Sequence, residues 1–395
     1  MTSSPPHIVI AGGGVAALEA LIALHELAGE RTSVTLLAPE PHFVYRPMAV
    51  AELFCLGHAE RHSLAAIAAE FGATLVADTL REIDPDSRTV TTGAGDTLAY
   101  DSLLIAVGAR QRPAYRHAIT FGADGAPEAL SGLLADLEDG YIKHVAFVVP
   151  STVAWSLPLY ELAVMTARDV WAAGIEGVEF VFVTPEARPL EAFGPDASTM
   201  VAELLASEGI EFIGSTVADV GRGFLVAGDR RIDVTRTIAL PAPAGPALAG
   251  LPVDVDGFIA VDEHGQVEGV EDVYAAGDAT TFPIKQGGLA AQQADAAAEA
   301  IIARHGVDLD PQPFRPVLRG MLMTGGRRRW LRAPAGATPG QSQAALRALW
   351  WPPTKIASKY LAPYLMGREE AELLQARPEG AHDVESHLEL LARED

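Results

Sequence analysis

Near its start the chain carries Gly12-x-Gly14-x-x-Ala17, directly after the apolar run His7 to Ile10 and directly before an Ala/Leu-rich stretch that reaches about Ala28. A strand, a turn of small residues and a helix in that order allow few folds. The glycines permit a tight turn and let backbone N–H groups approach a pyrophosphate, whose charge the helix N-terminus favours. Val34 to Leu37 reads as the returning strand, which completes a βαβ unit. A second copy starts near Lys143: strand Val145 to Val149, a loop and helix from about Ser151 to Ala173, and strand Val178 to Val183. The two copies close alike, VTLLAPE in one and FVFVTPE in the other. The expected fold class is α/β, with two Rossmann-like dinucleotide-binding-type domains and a C-terminal interface domain.

Two further strand ends carry chemistry. Tyr100 to Ala109 is a buried strand closing on Gly108-Ala109. Val273 to Ala279 ends on Gly277-Asp278, where a carboxylate can accept hydrogen bonds from the hydroxyls of a ribitol chain. The acid that normally ends the second strand of such a unit is displaced: Ala38 takes its place and Glu40 follows two residues later. Glu40 is the ribose candidate, the alternative being a surface carboxylate.

Three motifs in this order resemble the two-dinucleotide-domain flavoproteins of the pyridine nucleotide-disulfide oxidoreductase superfamily. In particular they resemble the branch of sulfide:quinone oxidoreductases, flavocytochrome c sulfide dehydrogenases and type II NADH dehydrogenases. The likeness covers residues 7 to about 302 and implies a non-covalent FAD. It implies that Gly12, Gly14 and Ala17 contact the pyrophosphate, that Gly108 and Ala109 lie against the dinucleotide, and that Gly277 and Asp278 meet the ribitol; Arg46 joins the cofactor-contact candidates. Gly288 and Leu289, opening the helix AAQQADAAAEAII, would offer free N–H groups and a positive dipole end to the flavin. Two catalytic candidates follow. Lys285 precedes that turn and would bond the flavin or an acceptor carbonyl, unless it is a solvated loop lysine. Glu161 matches the family's helix glutamate near the flavin, for proton transfer or an ion pair with Lys285; the alternative is a solvated helix residue.

The departures from the family are equally informative. The chain has one cysteine, Cys55, so a disulfide relay and a Cys-rich metal site are excluded, sulfide oxidation by the usual cysteine chemistry is disfavoured, and a reducing, cytoplasmic setting is expected. Cys55 reads as a small buried apolar residue. Where a second glycine turn would stand, Val149 to Pro158 contains no glycine, and Pro150 and Pro158 remove donors, which puts NAD(P)H binding in doubt. Glu186, at the ribose-acid position of the second unit, reads as a surface carboxylate.

The formal charge of −23 argues against a nucleic-acid partner. Its distribution is uneven, because residues 311–366 hold nine Lys and Arg and no carboxylate. That segment is expected to dock on the acidic remainder of the chain or on a second subunit as a homodimer, to form a positive mouth for an anionic substrate, or to meet anionic lipid through 327–366. Trp350 and Trp351, with Ile356, Tyr360 and Tyr364, form an aromatic stripe read as core packing or a dimer contact. The acidic tail after 367 is expected to be mobile. No apolar stretch is long enough to span a membrane and no signal peptide is evident.

The expected domains are a discontinuous FAD domain (1–112 and 241–310), an inserted NAD(P)-domain-like module (113–240) and a C-terminal interface domain (311–395). The expected function is electron transfer from a small-molecule donor through FAD to a quinone-like or protein acceptor. The alternatives are a soluble NAD(P)H oxidoreductase with atypical nicotinamide binding, and a flavin-holding scaffold of low turnover.

Overall fold

A computed structural model describes residues 4–338, 340–373 and 382–383. The N-terminal strand His7–Ala11 lies at the centre of a five-stranded sheet, in the order Val273–Ala275, Ser102–Ile105, His7–Ala11, Ser33–Leu37, Thr74–Val76. Every pairing in it is parallel, with Ile8 opposite Ser102 and Val34. A parallel sheet is covered on both faces, which is why His7 to Ile10 and Leu103 to Ile105 are apolar without alternation.

One face is covered by helix Val15–Ala28 and helix Gly287–Arg304, which pack against each other along their lengths. Ala16, Ala20 and Ala23 on one, with Ala290, Ala294 and Ala297 on the other, are buried in one cluster. Small side chains at this contact let the two backbones come close. Gly12 is required by its own geometry: its φ is +129°, and a Cβ there would lie 2.2 Å from the carbonyl oxygen of Ala106 on the neighbouring strand.

A second parallel sheet runs Ile119–Thr120, Arg236–Ala239, His144–Val148, Glu179–Val183, Ile210–Ile213. The chain passes between the sheets twice, and the two passages, Arg110–Arg112 and Ala242–Ala244, pair as an antiparallel ribbon. The expected loop and helix after the first strand of this unit are an irregular turn over residues 151–156 and a helix Leu157–Ala172, with Pro158 in its first turn.

The C-terminal part builds an antiparallel sheet of Val317–Leu322, Arg329–Pro334 and Gln343–Ala345. The aromatic stripe is core packing at its first member: Trp350 is fully buried and meets Trp330 edge-on, ring centroids 4.7 Å apart. Tyr360 and Tyr364 pack on the core of the first sheet. Residues 355–360 are not helical; the helix starts at Leu361. The acidic tail falls almost wholly outside the described residues. No helix among the described residues is long and apolar enough to cross a membrane.

Candidate active site

Two cavities meet at the C-terminal ends of the first sheet's strands, where ligands of open α/β sheets bind. The first, of about 550 Å³, is lined by Gly12, Gly13 and Gly14, by Glu40, by Gly108 and Ala109, and by Gly277 and Asp278. The structure thus brings most of the cofactor candidates to one cleft. Gly14 leaves open space where a Cβ would stand. Gly277 takes φ +77°, and a Cβ on it would crowd Ala16 and Ala290 at 3.3 and 3.2 Å. Burial pushes the Asp278 carboxyl above its ordinary value, with Lys285 pulling it back. No hydrogen bond within the described residues reaches that carboxylate, so it is left to hold a ligand's hydroxyls.

Three cofactor assignments are corrected. Ala17 is fully buried between helix and sheet and does not line the cleft; its smallness serves packing, and its neighbours Val15 and Ala16 take the lining positions. The Leu289 N–H is not free, because the Gln286 side chain accepts it at 2.9 Å, and Leu289 itself packs into the core. Gly288 is also buried and off both linings, and Gly287 is the residue of this turn that faces the cavities.

The second cavity, of about 890 Å³, is a chamber walled largely by apolar side chains, including Leu53, Phe121, Leu130, Trp155 and Met321. It shares Val44, Arg46, Gln111, Asp278, Gly287 and Ile356 with the dinucleotide cleft, so the two are continuous. Its volume is that of a site for a small organic molecule.

Of the two catalytic candidates Lys285 lines this chamber, whereas Glu161 lies behind its wall and pairs with a lining residue. Lys285 is no solvated loop residue: it is 7% exposed, and its ammonium donates to the carbonyl oxygens of Thr280 at 2.5 Å and Phe282 at 2.8 Å. It also lies over the Phe258 ring at 4.0 Å. Burial pushes it down to about 8, against the pull of Asp278. Glu161 is fully buried and pairs with Lys355, not with Lys285, at 2.6 Å. Its other oxygen accepts the Met323 N–H at 2.7 Å. Lys355 also donates to the carbonyl oxygen of Pro47 at 3.1 Å. Burial raises Glu161 and lowers Lys355, and each partner opposes the shift of the other. Lys355 was missed as a site residue, although a glutamate inside the apolar run PLYELAVM requires a cation from elsewhere.

Two more expectations fail. Cys55 is exposed, with φ +54°, and lines the chamber instead of the core. Glu186 is turned inward. It accepts hydrogen bonds from Tyr160 at 2.7 Å, Ser156 at 3.0 Å and Thr184 at 3.1 Å, and burial pushes it up to about 7. The space beside it, where a second phosphate turn would open, is about 80 Å³ and is walled by Thr152, Trp155, Ser156 and Phe193.

The basic segment docks in part on its own chain. Besides the Lys355–Glu161 pair, Lys359 lies 3.9 Å from Glu299, and Glu19 accepts the backbone N–H groups of Lys359, Tyr360 and Leu361 at 2.7, 2.8 and 2.7 Å. Arg327 and Arg328 are exposed.

Residues 6–142 and 161–300 match the family described as pyridine nucleotide-disulphide oxidoreductase. The chain belongs to that family. FAD is its cofactor, and the glycine-lined cleft with its unclaimed Asp278 carboxylate fits it. Among similar proteins is the sulfide-quinone reductase of Aquifex aeolicus, 27% identical over 225 residues, which are 52% of this chain and 50% of that one. The chain therefore spans only half the length of that relative in sequence. The ferredoxin reductase component of a chlorobenzene dioxygenase from Cupriavidus is 26% identical over 335 residues, 76% of this chain and 75% of the other. The solved sulfide:quinone oxidoreductase of Aquifex aeolicus superposes with a TM-score of 0.79 at 19% identity, covering 98% of this chain and 94% of its own. That likeness is one of fold.

Proposed function

We propose that this flavoprotein passes electrons from a small-molecule donor other than NAD(P)H, through non-covalent FAD, to a quinone-like acceptor in the apolar chamber. The observation that carries this reading is the continuity of an 890 Å³ apolar chamber with the dinucleotide cleft. Bound FAD supplies the exchange of electrons between donor and acceptor. The chain's own residues hold and orient: Asp278 takes ribitol hydroxyls, the Gly12–Gly14 turn takes the pyrophosphate, and Glu40 takes a ribose hydroxyl. Lys285 and Lys355 place positive charge on the chamber wall, where charge gathers on a carbonyl that accepts electrons. Lys355 also holds a proton within reach of the chamber, and Glu161 fixes where that ammonium sits.

The second unit supports a donor other than nicotinamide. Its crevice is about 80 Å³, with Trp155 in its wall and Glu186 engaged with three hydroxyls of its own chain. We divide the chain accordingly: 1–112 with 241–310 for FAD, 113–240 as a module without a nucleotide site, and 311–395 closing the chamber. A cytoplasmic protein touching the inner face of a membrane through 327–366 accords with the exposed Arg327 and Arg328. Homodimer formation through the same segment is the other arrangement.

Anaerobic spectroscopy tests this directly. NADH and NADPH are expected to leave the oxidised flavin band standing, whereas flavin reduced by dithionite is expected to be reoxidised within seconds by soluble quinones. Rapid bleaching by either nicotinamide would overturn the reading of the second unit. Flavin that no quinone reoxidises would leave the scaffold reading in its place.

A further inference from the structure

The chain as a whole carries 29 Lys and Arg against 52 Asp and Glu. The chamber wall reverses that balance, with Arg46, Arg61, Lys285, Arg319 and Lys355 facing only Glu52 and Asp278. Two of these cations have acids of their own: Lys355 has Glu161, and Lys285 feels Asp278. Arg46 lines the dinucleotide cleft as well, where the cofactor's phosphates supply negative charge. Arg61 is different. It lines the chamber and not the cleft, and no hydrogen bond or ion pair among the described residues engages its guanidinium. Its place is fixed by a short antiparallel pair, His42–Val44 with Arg61–Ser63, in which it stands opposite Val44, a residue shared by both cavities. An exposed cation on the wall of an apolar chamber, in so acidic a chain, attracts a complementary charge brought by the ligand.

We propose that the acceptor is an anion: a flat, apolar ring system of quinone type bearing a carboxylate or sulfonate group that meets Arg61. This rests on the chamber being the acceptor site. The apolar walls take the ring, and Arg61 takes the charged substituent in a planar, two-pronged contact. In the reaction the two carbonyl groups of the ring gain two electrons from reduced FAD and two protons, and the charged substituent is unchanged. Arg61 is exposed, so the contact is open to solvent and salt weakens it.

The test uses holoprotein with two probes that cannot be reduced, naphthalene-2-sulfonate and naphthalene-2-methanol, titrated against the flavin absorption band. At low ionic strength the sulfonate is expected to bind about fivefold to tenfold more tightly than the alcohol, as one charge contact in a partly wet site implies. The ratio is expected to shrink as salt is added. Arg61→Gln should collapse it, and Glu52→Gln should widen it. Equal binding of the two probes, or a ratio that ignores Arg61→Gln, overturns the inference. Absence of binding by either probe, with quinones still reoxidising the flavin, overturns it while electron transfer stands. Absence of both removes the chamber as acceptor site, and this inference with it.

Discussion

Replacing Lys355 by methionine is expected to destabilise the protein by about 3–5 kcal/mol near neutral pH, the range for removing one member of a buried ion pair. Lys355 and Glu161 are 5% and 0% exposed at their side chains, so neither charge reaches bulk water. The methionine fills much of the volume of the lysine stem but leaves the Glu161 carboxylate with the Met323 N–H as its one remaining partner among the described residues. Glu161→Gln in the same chain removes the stranded charge. The double variant is therefore expected to regain about 1–3 kcal/mol over Lys355→Met alone. Urea unfolding of the two single variants and the double variant measures this coupling, and additive losses would show that the two groups do not depend on each other.

The pH dependence has a definite sign. Burial raises Glu161 above 4.5, and Lys355 is what opposes that shift. Removing the lysine lifts the folded carboxyl further, so the folded state of Lys355→Met holds a proton that its unfolded state has already released. Stability of this variant should fall as pH rises from the unfolded value towards the raised folded one. The loss relative to the unaltered chain should accordingly be smallest near the unfolded carboxyl value and grow as pH rises above it. The opposite trend would mean that the carboxylate finds another cation.

The sequence disclosed whatever depends on neighbours in the chain. The glycine turn, the strand ends at Gly108 and Gly277, and the repeated βαβ plan are local patterns, and local geometry decides them: a positive φ at Gly12 and Gly277 permits little else. It did not disclose pairings made across long separations. Lys355 is 194 residues from Glu161, and Lys285, the nearer lysine in the motif order, was the natural but mistaken partner. Glu186 looked like a surface acid because Thr184 alone does not explain its burial; two further hydroxyls, from Ser156 and Tyr160, come from another segment. The absence of glycine from Val149 to Pro158 was legible, and so was the reversed charge of 311–366. What that charge touches was not, since it required the fold to bring Glu19, Glu161 and Glu299 against it.

Glu19 carries the second large effect. It is fully buried on the first helix, yet its two oxygens serve no group of that helix. They accept three consecutive backbone N–H groups, from Lys359, Tyr360 and Leu361, where the C-terminal helix begins. An acceptor at that point satisfies donors that the helix cannot, and these N–H groups oppose the upward push that burial gives the Glu19 carboxyl. The segment so held carries Lys355 and Ile356, both of which line the chamber. Glu19→Ala is therefore expected to cost about 3 kcal/mol, since one buried and two half-buried donors lose their acceptor. It should also loosen the chamber, weakening binding of any chamber ligand by about tenfold while the dinucleotide cleft keeps its glycine turn. Glu19→Gln retains one carbonyl oxygen, enough for the two N–H groups that share Oε1, and should restore a good part of both losses. Denaturant midpoints give the first effect, and ligand titrations against the flavin band, compared with FAD content after gel filtration, give the second. Loss of FAD in step with loss of the ligand would place the defect in the first sheet and not in the C-terminal wall.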